Sequence, residues 1–257
     1  MVLWVLARSM VQSRLQYSVS HAVRTAASVI FGMIYAAIWQ GIGEQDSLGD
    51  FGTEGMVAYI AFNQVILWLT FTNYGLGLAE RVRTGQIALD LARPLHLFAF
   101  AAGREAGSMA YNALFTALPL YFIYFWIYDL SIPRDPAVWL WTAAALLMAV
   151  YAALCIAYAI GLASLWTVEG YWLHMLNYSV NFVLSGFLIP IQWMPEWLQT
   201  VAGFSPYPIF HSIPTQLYLG KTGPGTLLVP LLWCALLTAG ALAATKAVKR
   251  KVEVQGG

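Results

Sequence analysis

Lys221 follows Gly220 and precedes Thr222, and Gly-Lys-Thr ends the loop whose backbone N–H groups and lysine cradle nucleotide phosphates. That loop needs another glycine five positions upstream of Gly220, where Thr215 stands, so no nucleotide site is expected. Ser185 beside Gly186 suggests the nucleophile of an intramembrane protease. Val183, however, occupies the place of the first glycine in a Gly-x-Ser pattern, and nothing fixes His174 as its base. Packing of small residues at a helix contact accounts better for this pair. His21, His96, His174 and His211 lack metal-ligand spacing. Cys155 and Cys234 lie in apolar runs, where free cysteine serves as a small hydrophobe. No catalytic residue and no metal ligand is therefore expected. Ion-coupled transporters bury carboxylates near the bilayer midplane, whereas Glu80, Glu105 and Glu169 fall at the ends of apolar stretches.

What remains is uncharged polar chemistry. One apolar run carries Asn63, Gln64, Thr70, Thr72 and Asn73, and another carries Asn177 and Asn181 one helical turn apart. Such groups either line a pathway, with Asn73, Asn177 and Asn181 as candidates, or hydrogen-bond between helices. The elements that position them must be membrane helices. Of the 257 residues, 60% are hydrophobic and 10% charged, against about 25% charged in soluble domains. A net charge of +1, with the basic residues at helix boundaries, offers no face for nucleic acid.

Charge-free stretches run from Arg24 to Glu44, Glu54 to Glu80, Glu105 to Asp129, Asp135 to Glu169, Tyr171 to Pro190 and Thr226 to Thr245. They predict an all-α membrane protein with six transmembrane helices in one domain, residues 1–257. With both termini cytoplasmic, one face holds Arg8, Arg14, Arg24, Arg81, Arg83, Arg93, Arg104, Lys246, Lys249, Arg250 and Lys251, and the other only Arg134 and Lys221. The second face instead carries Glu44, Asp46, Asp50, Glu54, Asp129, Asp135 and Glu196. Arg8 and Arg14 interrupt the first apolar residues, so no cleavable signal is expected.

Two segments are not simple spans. Residues 2–18 place Leu3, Leu6, Ala7, Met10, Val11 and Leu15 on one helical face and Arg8, Gln12, Ser13 and Gln16 on the other. That pattern suits an amphipathic helix on the inner membrane surface, or a plain cytosolic tail. Residues 190–222 are mostly uncharged yet contain Pro190, Pro195, Pro206, Pro208 and Pro214. Short broken helices re-entering the outer leaflet are expected there, with an extracellular loop as the alternative.

The loop between the second and third spans is the most patterned polar segment. Gly85 can end the incoming helix. Ile87, Leu91 and Leu95 then recur at helical spacing, with Asp90 and Arg93 off that stripe and Pro94 as a stop. The pattern alone allows both docking onto another protein and packing on the chain's own bundle.

Gly85-Gln86-Ile87 with Leu91-Ala92-Arg93-Pro94-Leu95 resembles a signature of ABC type-2 transporter permeases. Ser185 to Pro190, Met194 to Leu198 and Ser205-Pro206-Tyr207-Pro208 resemble the same family. The resemblance implies the transmembrane subunit of an ATP-driven exporter in the bacterial cytoplasmic membrane. It implies an elbow helix at 2–18, a coupling helix at 84–95 and re-entrant helices at 190–222. The implied partners are the bilayer, two copies of an ABC ATPase and a second permease, identical or related. ATP and Mg would lie on the ATPase, leaving no catalysis or cofactor to this chain. Arg83, Ile87, Leu91 and Arg93 are then the expected coupling residues. The rival functions are a stand-alone secondary transporter or channel, and a membrane scaffold without transport.

Overall fold

In a bilayer every backbone N–H and C=O must be satisfied within the protein, which favours helices. The computed structural model describes residues 2–15, 18–45, 48–130, 132–167 and 170–255, and it contains helices and no strands among them. Gln16, Asp46 and Glu169 lie outside the described residues, as do the side chains of Leu3 and Leu15.

The helices are α1 (Val2–Leu15), α2 (Ser18–Gln45), α3 (Gly52–Thr70), α4 (Leu78–Arg83), α5 (Gln86–Leu91), α6 (Leu97–Asn112), α7 (Leu118–Tyr128), α8 (Pro136–Ala163), α9 (Tyr171–Leu184), α10 (Glu196–Gly203), α11 (Ser212–Tyr218) and α12 (Leu228–Gln255). Five stretches of the described chain are long and apolar enough to cross a membrane: Ala22–Glu44, Gly49–Arg83, Leu97–Tyr128, Pro136–Ala163 and Pro224–Lys251.

Of the six expected spans, Tyr171–Pro190 is not among these five. That stretch forms α9, a helix of 14 residues, about 21 Å long against a hydrocarbon core of about 30 Å. It stops because Gly186, two residues past Leu184, takes a left-handed φ of +79° and turns the chain away. The second crossing is interrupted too. After Thr70 the chain leaves the helix, and Gly75, Leu76 and Gly77 all have positive φ before α4 begins. The third crossing stays continuous through a π-turn at Ala113–Ala117. Pro119 follows it with no N–H to donate, and its ring crowds the carbonyl of Phe115, which the wider turn relieves.

Contacts fix the relative directions. Trp68 Nε1 donates to Ser28 Oγ at 2.9 Å while Gly43 abuts Thr53, so α2 and α3 run antiparallel. Tyr151 pairs with Thr238 and Tyr158 with Thr245, each at 2.7 Å. The equal sequence steps on both helices make α8 and α12 parallel. Lys251 Nζ reaches the Leu165 carbonyl at 2.6 Å, closing α8 at the end where Arg14, Arg81, Arg93 and Arg104 also gather. We call this the basic end. At the opposite end Lys221 Nζ donates to the Asp50 carbonyl at 2.6 Å.

α1 lies along α6. Leu6, Ala7, Met10 and Val11 are half-buried while Arg8, Gln12 and Ser13 are exposed. A Cβ on Gly107 would collide with the Ala7 backbone, so the glycine sets the closeness of this contact. Residues 190–222 form short broken helices, as the prolines predict. Trp193 packs on Phe51 and Trp39 at the opposite end, with ring centroids 5.6 Å apart in each pair. The chain then turns inward: Tyr207 reaches Asn177, half-way along α9, at 3.1 Å, and the Ser212 N–H donates to the Ser185 carbonyl at 2.9 Å. α11 carries it back to Lys221.

Candidate functional site

The patterned loop becomes a compact module at the basic end. Gly85, at φ +72°, ends α4 and starts α5. Asp90 of α5 has a side chain at 0% exposure, yet it is fully paired. Arg81 grips it with Nε and with Nη2, the latter at 2.7 Å, and Arg93 Nε adds a bond at 3.1 Å. Burial alone would raise the Asp90 pKa. The hydrogen bonds and charges of Arg81 and Arg93 outweigh it and hold the carboxyl below its usual range. Ile87 is buried, in one cluster with Leu78, Leu97 and Leu162, and Leu91 packs against that cluster. The expected stripe thus faces the chain's own bundle. The large apolar side chain left outward is Leu89, 69% exposed, and Arg83 and Arg93 of the same module are exposed too.

Just upstream, the interruption of the second crossing is braced by charge. Glu105 is buried at 4% exposure. Its Oε1 accepts the Asn73 backbone N–H at 2.8 Å, and both its oxygens accept from Asn73 Nδ2 at 2.9 Å. Arg14 of α1 donates to Asn73 Oδ1 at 2.9 Å. The backbone of Gly75 rests on that of Gly161 in α8, where a Cβ on either glycine would collide. Asn73 also lines a cleft of about 700 Å³ with Tyr74, Glu80, Arg83 and Tyr171, so the cleft extends from the interruption to the α4 end of the module.

The turn after α9 is braced by neutral groups. The Gly186 carbonyl accepts from Tyr59 Oη and from Asn63 Nδ2, the latter at 3.2 Å, and Asn63 Nδ2 also reaches the Phe187 carbonyl at 3.2 Å. Thr215 Oγ1 donates to Asn63 Oδ1 at 2.6 Å. Tyr59, Asn63 and Thr215 are all at 0% exposure. Between the two breaks, Asn177, Asn181, His174, Thr70 and Phe210 line a cavity of about 60 Å³. Asn177 accepts the Tyr207 hydroxyl there, whereas Asn181 Oδ1 is buried with no hydrogen-bond partner among the described residues.

A family model described as "ABC-2 family transporter protein" matches residues 19–256. The chain belongs to the ABC-2 transporter family. It is an integral membrane protein, the permease component of an ABC transporter, and the family implies an ABC ATPase as its partner. No curated protein matches it.

In this ABC-2 permease, the four expected coupling residues sit together in one module, two facing outward and two inward. Of the expected pathway residues, Asn177 and Asn181 share a cavity, and Asn73 lies apart in the cleft at the basic end. Leu89, Asp90, Glu105 and Arg14, which the structure places in or beside the module and the interruption, were not among the expected site residues. Glu105 carried a signal: a carboxylate between Gly103 and Gly107, inside a stretch that the structure makes helical from Leu97.

Proposed function

We propose that the chain is half of the translocation pathway of an ATP-driven exporter, coupled to its ATPase through α5. The observation that carries this reading is the α4–α5 module. Asp90 locks it to Arg81 and Ile87 seats it on the bundle, so a push on Leu89, Arg83 or Arg93 moves a rigid unit. The chain between this unit and α3 is the interruption at 71–77, which is where such motion enters the bundle. The exposed arginines contribute about 0–1 kcal/mol each to docking, so Leu89 supplies the larger apolar part.

In this reading the basic end is cytoplasmic, following the excess of Lys and Arg there, and both termini lie in the cytoplasm at the cytoplasmic membrane. α1 is an elbow helix on the inner surface, α9 with the turn after it makes a fifth of six crossings, and residues 190–222 re-enter the outer leaflet. Two permeases and two ATPases assemble, with ATP, Mg and all catalytic groups on the ATPases. Asn177 and Asn181 face the pathway, and Asn73 stands at its cytoplasmic mouth.

The test is affinity purification of this chain from its native membrane in mild detergent, beside the Leu89→Asp variant. A P-loop ATPase recovered near equal stoichiometry with the unaltered chain, and lost from a variant of unchanged thermal stability, supports the reading. Recovery of the unaltered chain alone, under conditions that preserve a known ABC complex, would transfer the case to a stand-alone transporter or channel.

A further inference from the structure

Three guanidinium groups surround one ring at the basic end. The carbon centres of Arg93, Arg81 and Arg104 lie 4.8, 5.7 and 6.0 Å from the centroid of Phe100. Asp90 pairs with Arg81 and Arg93. Among the described residues no carboxylate lies within ion-pair distance of Arg104. Glu105, its neighbour in sequence, is engaged with Asn73 instead. Three positive charges against one negative leave an excess of two on a half-buried patch, where repulsion is less screened than in bulk water.

The depth of the patch selects its counter-ion. Arg104 precedes Tyr128, at the far end of the third crossing, by a helical path of about 36 Å. By a second route, Glu105 bonds to Asn73, which lies about 30 Å beyond Gly52 along the second crossing. Both lengths match or slightly exceed the roughly 30 Å hydrocarbon core, so Arg104 stands at the headgroup level of the leaflet on the basic side. Leu89, the outward side chain of α5, belongs to the surface assigned to the ATPase, which shares Arg93 with this patch but not Arg104 or Phe100.

We propose that Arg104, with Arg93 and Arg81 around Phe100, binds the phosphate of an anionic phospholipid headgroup. The cluster offers planar, multi-donor recognition of phosphate oxygens. Such a lipid, with its one negative charge, would offset half of the excess and hold α6, and with it the Asp90-anchored module, at a fixed depth.

Native mass spectrometry of the purified complex, released from mixed phosphatidylglycerol and phosphatidylcholine vesicles, reads the site. The unaltered complex should retain phosphatidylglycerol selectively, and Arg104→Gln should retain it about fivefold less, the factor given by ~1 kcal/mol per surface arginine. Lys249→Gln, an equal charge loss on exposed α12, should change nothing. Equal retention of the two lipids by the unaltered complex overturns the proposal, and this arm needs no variant to fold. Displacement of the lipid by millimolar inorganic phosphate would make the site one for free phosphate. Loss of the ATPase from Arg104→Gln with lipid retention intact would make it a protein-docking surface.

Discussion

Two helical stretches of this permease are broken, one after α3 and one after α9, and the two breaks are braced by opposite chemistry. At 71–77, near the basic end, an orphaned N–H is taken by the carboxylate of Glu105, and the chain of bonds continues to Arg14 on α1. At 185–187 the orphaned carbonyls are taken by Tyr59 and Asn63, with Thr215 completing a neutral set at 0% exposure. A sealed neutral brace is costly to disturb, because each group left unpaired has no water to turn to. A charged brace that connects three elements near the membrane surface can exchange partners with water. The difference assigns rigidity to the turn beside α11 and movement to the break beside the α4–α5 module.

The largest effect is expected at the neutral brace. Asn63→Leu leaves the Phe187 carbonyl and the Thr215 hydroxyl unpaired and should cost about 3 kcal/mol. Thermal unfolding in nanodiscs measures it, and a cost near zero would mean that the brace is not structural. Next, Glu105→Ala should cost about 2 kcal/mol. It should speed hydrogen exchange across 71–77 while leaving 185–190 protected, and Glu105→Gln should restore part of that protection through its remaining acceptor. Exchange rising equally at both breaks would erase the distinction between them. Arg14→Ala removes a single partly exposed bond and should cost about 1 kcal/mol or less, seen as faster exchange in α1 alone.

The smallest effect concerns pH. The Asp90 pKa is lowered in the folded protein, so its pairing stabilises the module above the unfolded value of about 3.9 and is lost as pH falls through the lower folded value. Exchange in α5 should therefore be flat from about pH 8 to 5, after correction for intrinsic rates, and rise only in acid. A rise near pH 6 would point to another group.

Much of this architecture is legible from residue types. Five of the six charge-free stretches coincide with helical stretches long and apolar enough to cross a membrane, and the prolines of 190–222 mark the broken helices because proline cannot donate to a helix. Gly85 is readable as a helix stop for the same kind of local reason. The length of α9 is not legible, since Leu184-Ser185-Gly186 allows either continuation or a left-handed stop, and the stop depends on Tyr59 and Asn63 from a distant helix. Asn63 and Asn73 look alike in the sequence, as polar residues in one apolar run, and only their partners separate them. The stripe Ile87, Leu91 shows an apolar face without showing which way it turns. Burial of Asp90 by Arg81 decides that, and it leaves Leu89 outward.

The most direct test follows hydrogen exchange at both breaks in the purified permease–ATPase complex, with and without ATP. The expected result is a change across 71–77 and 84–95 on adding ATP, with 185–190 unaltered. A change confined to 185–190, with 71–77 silent, would contradict the assignment of movement to the charged break and with it the route of coupling through α5.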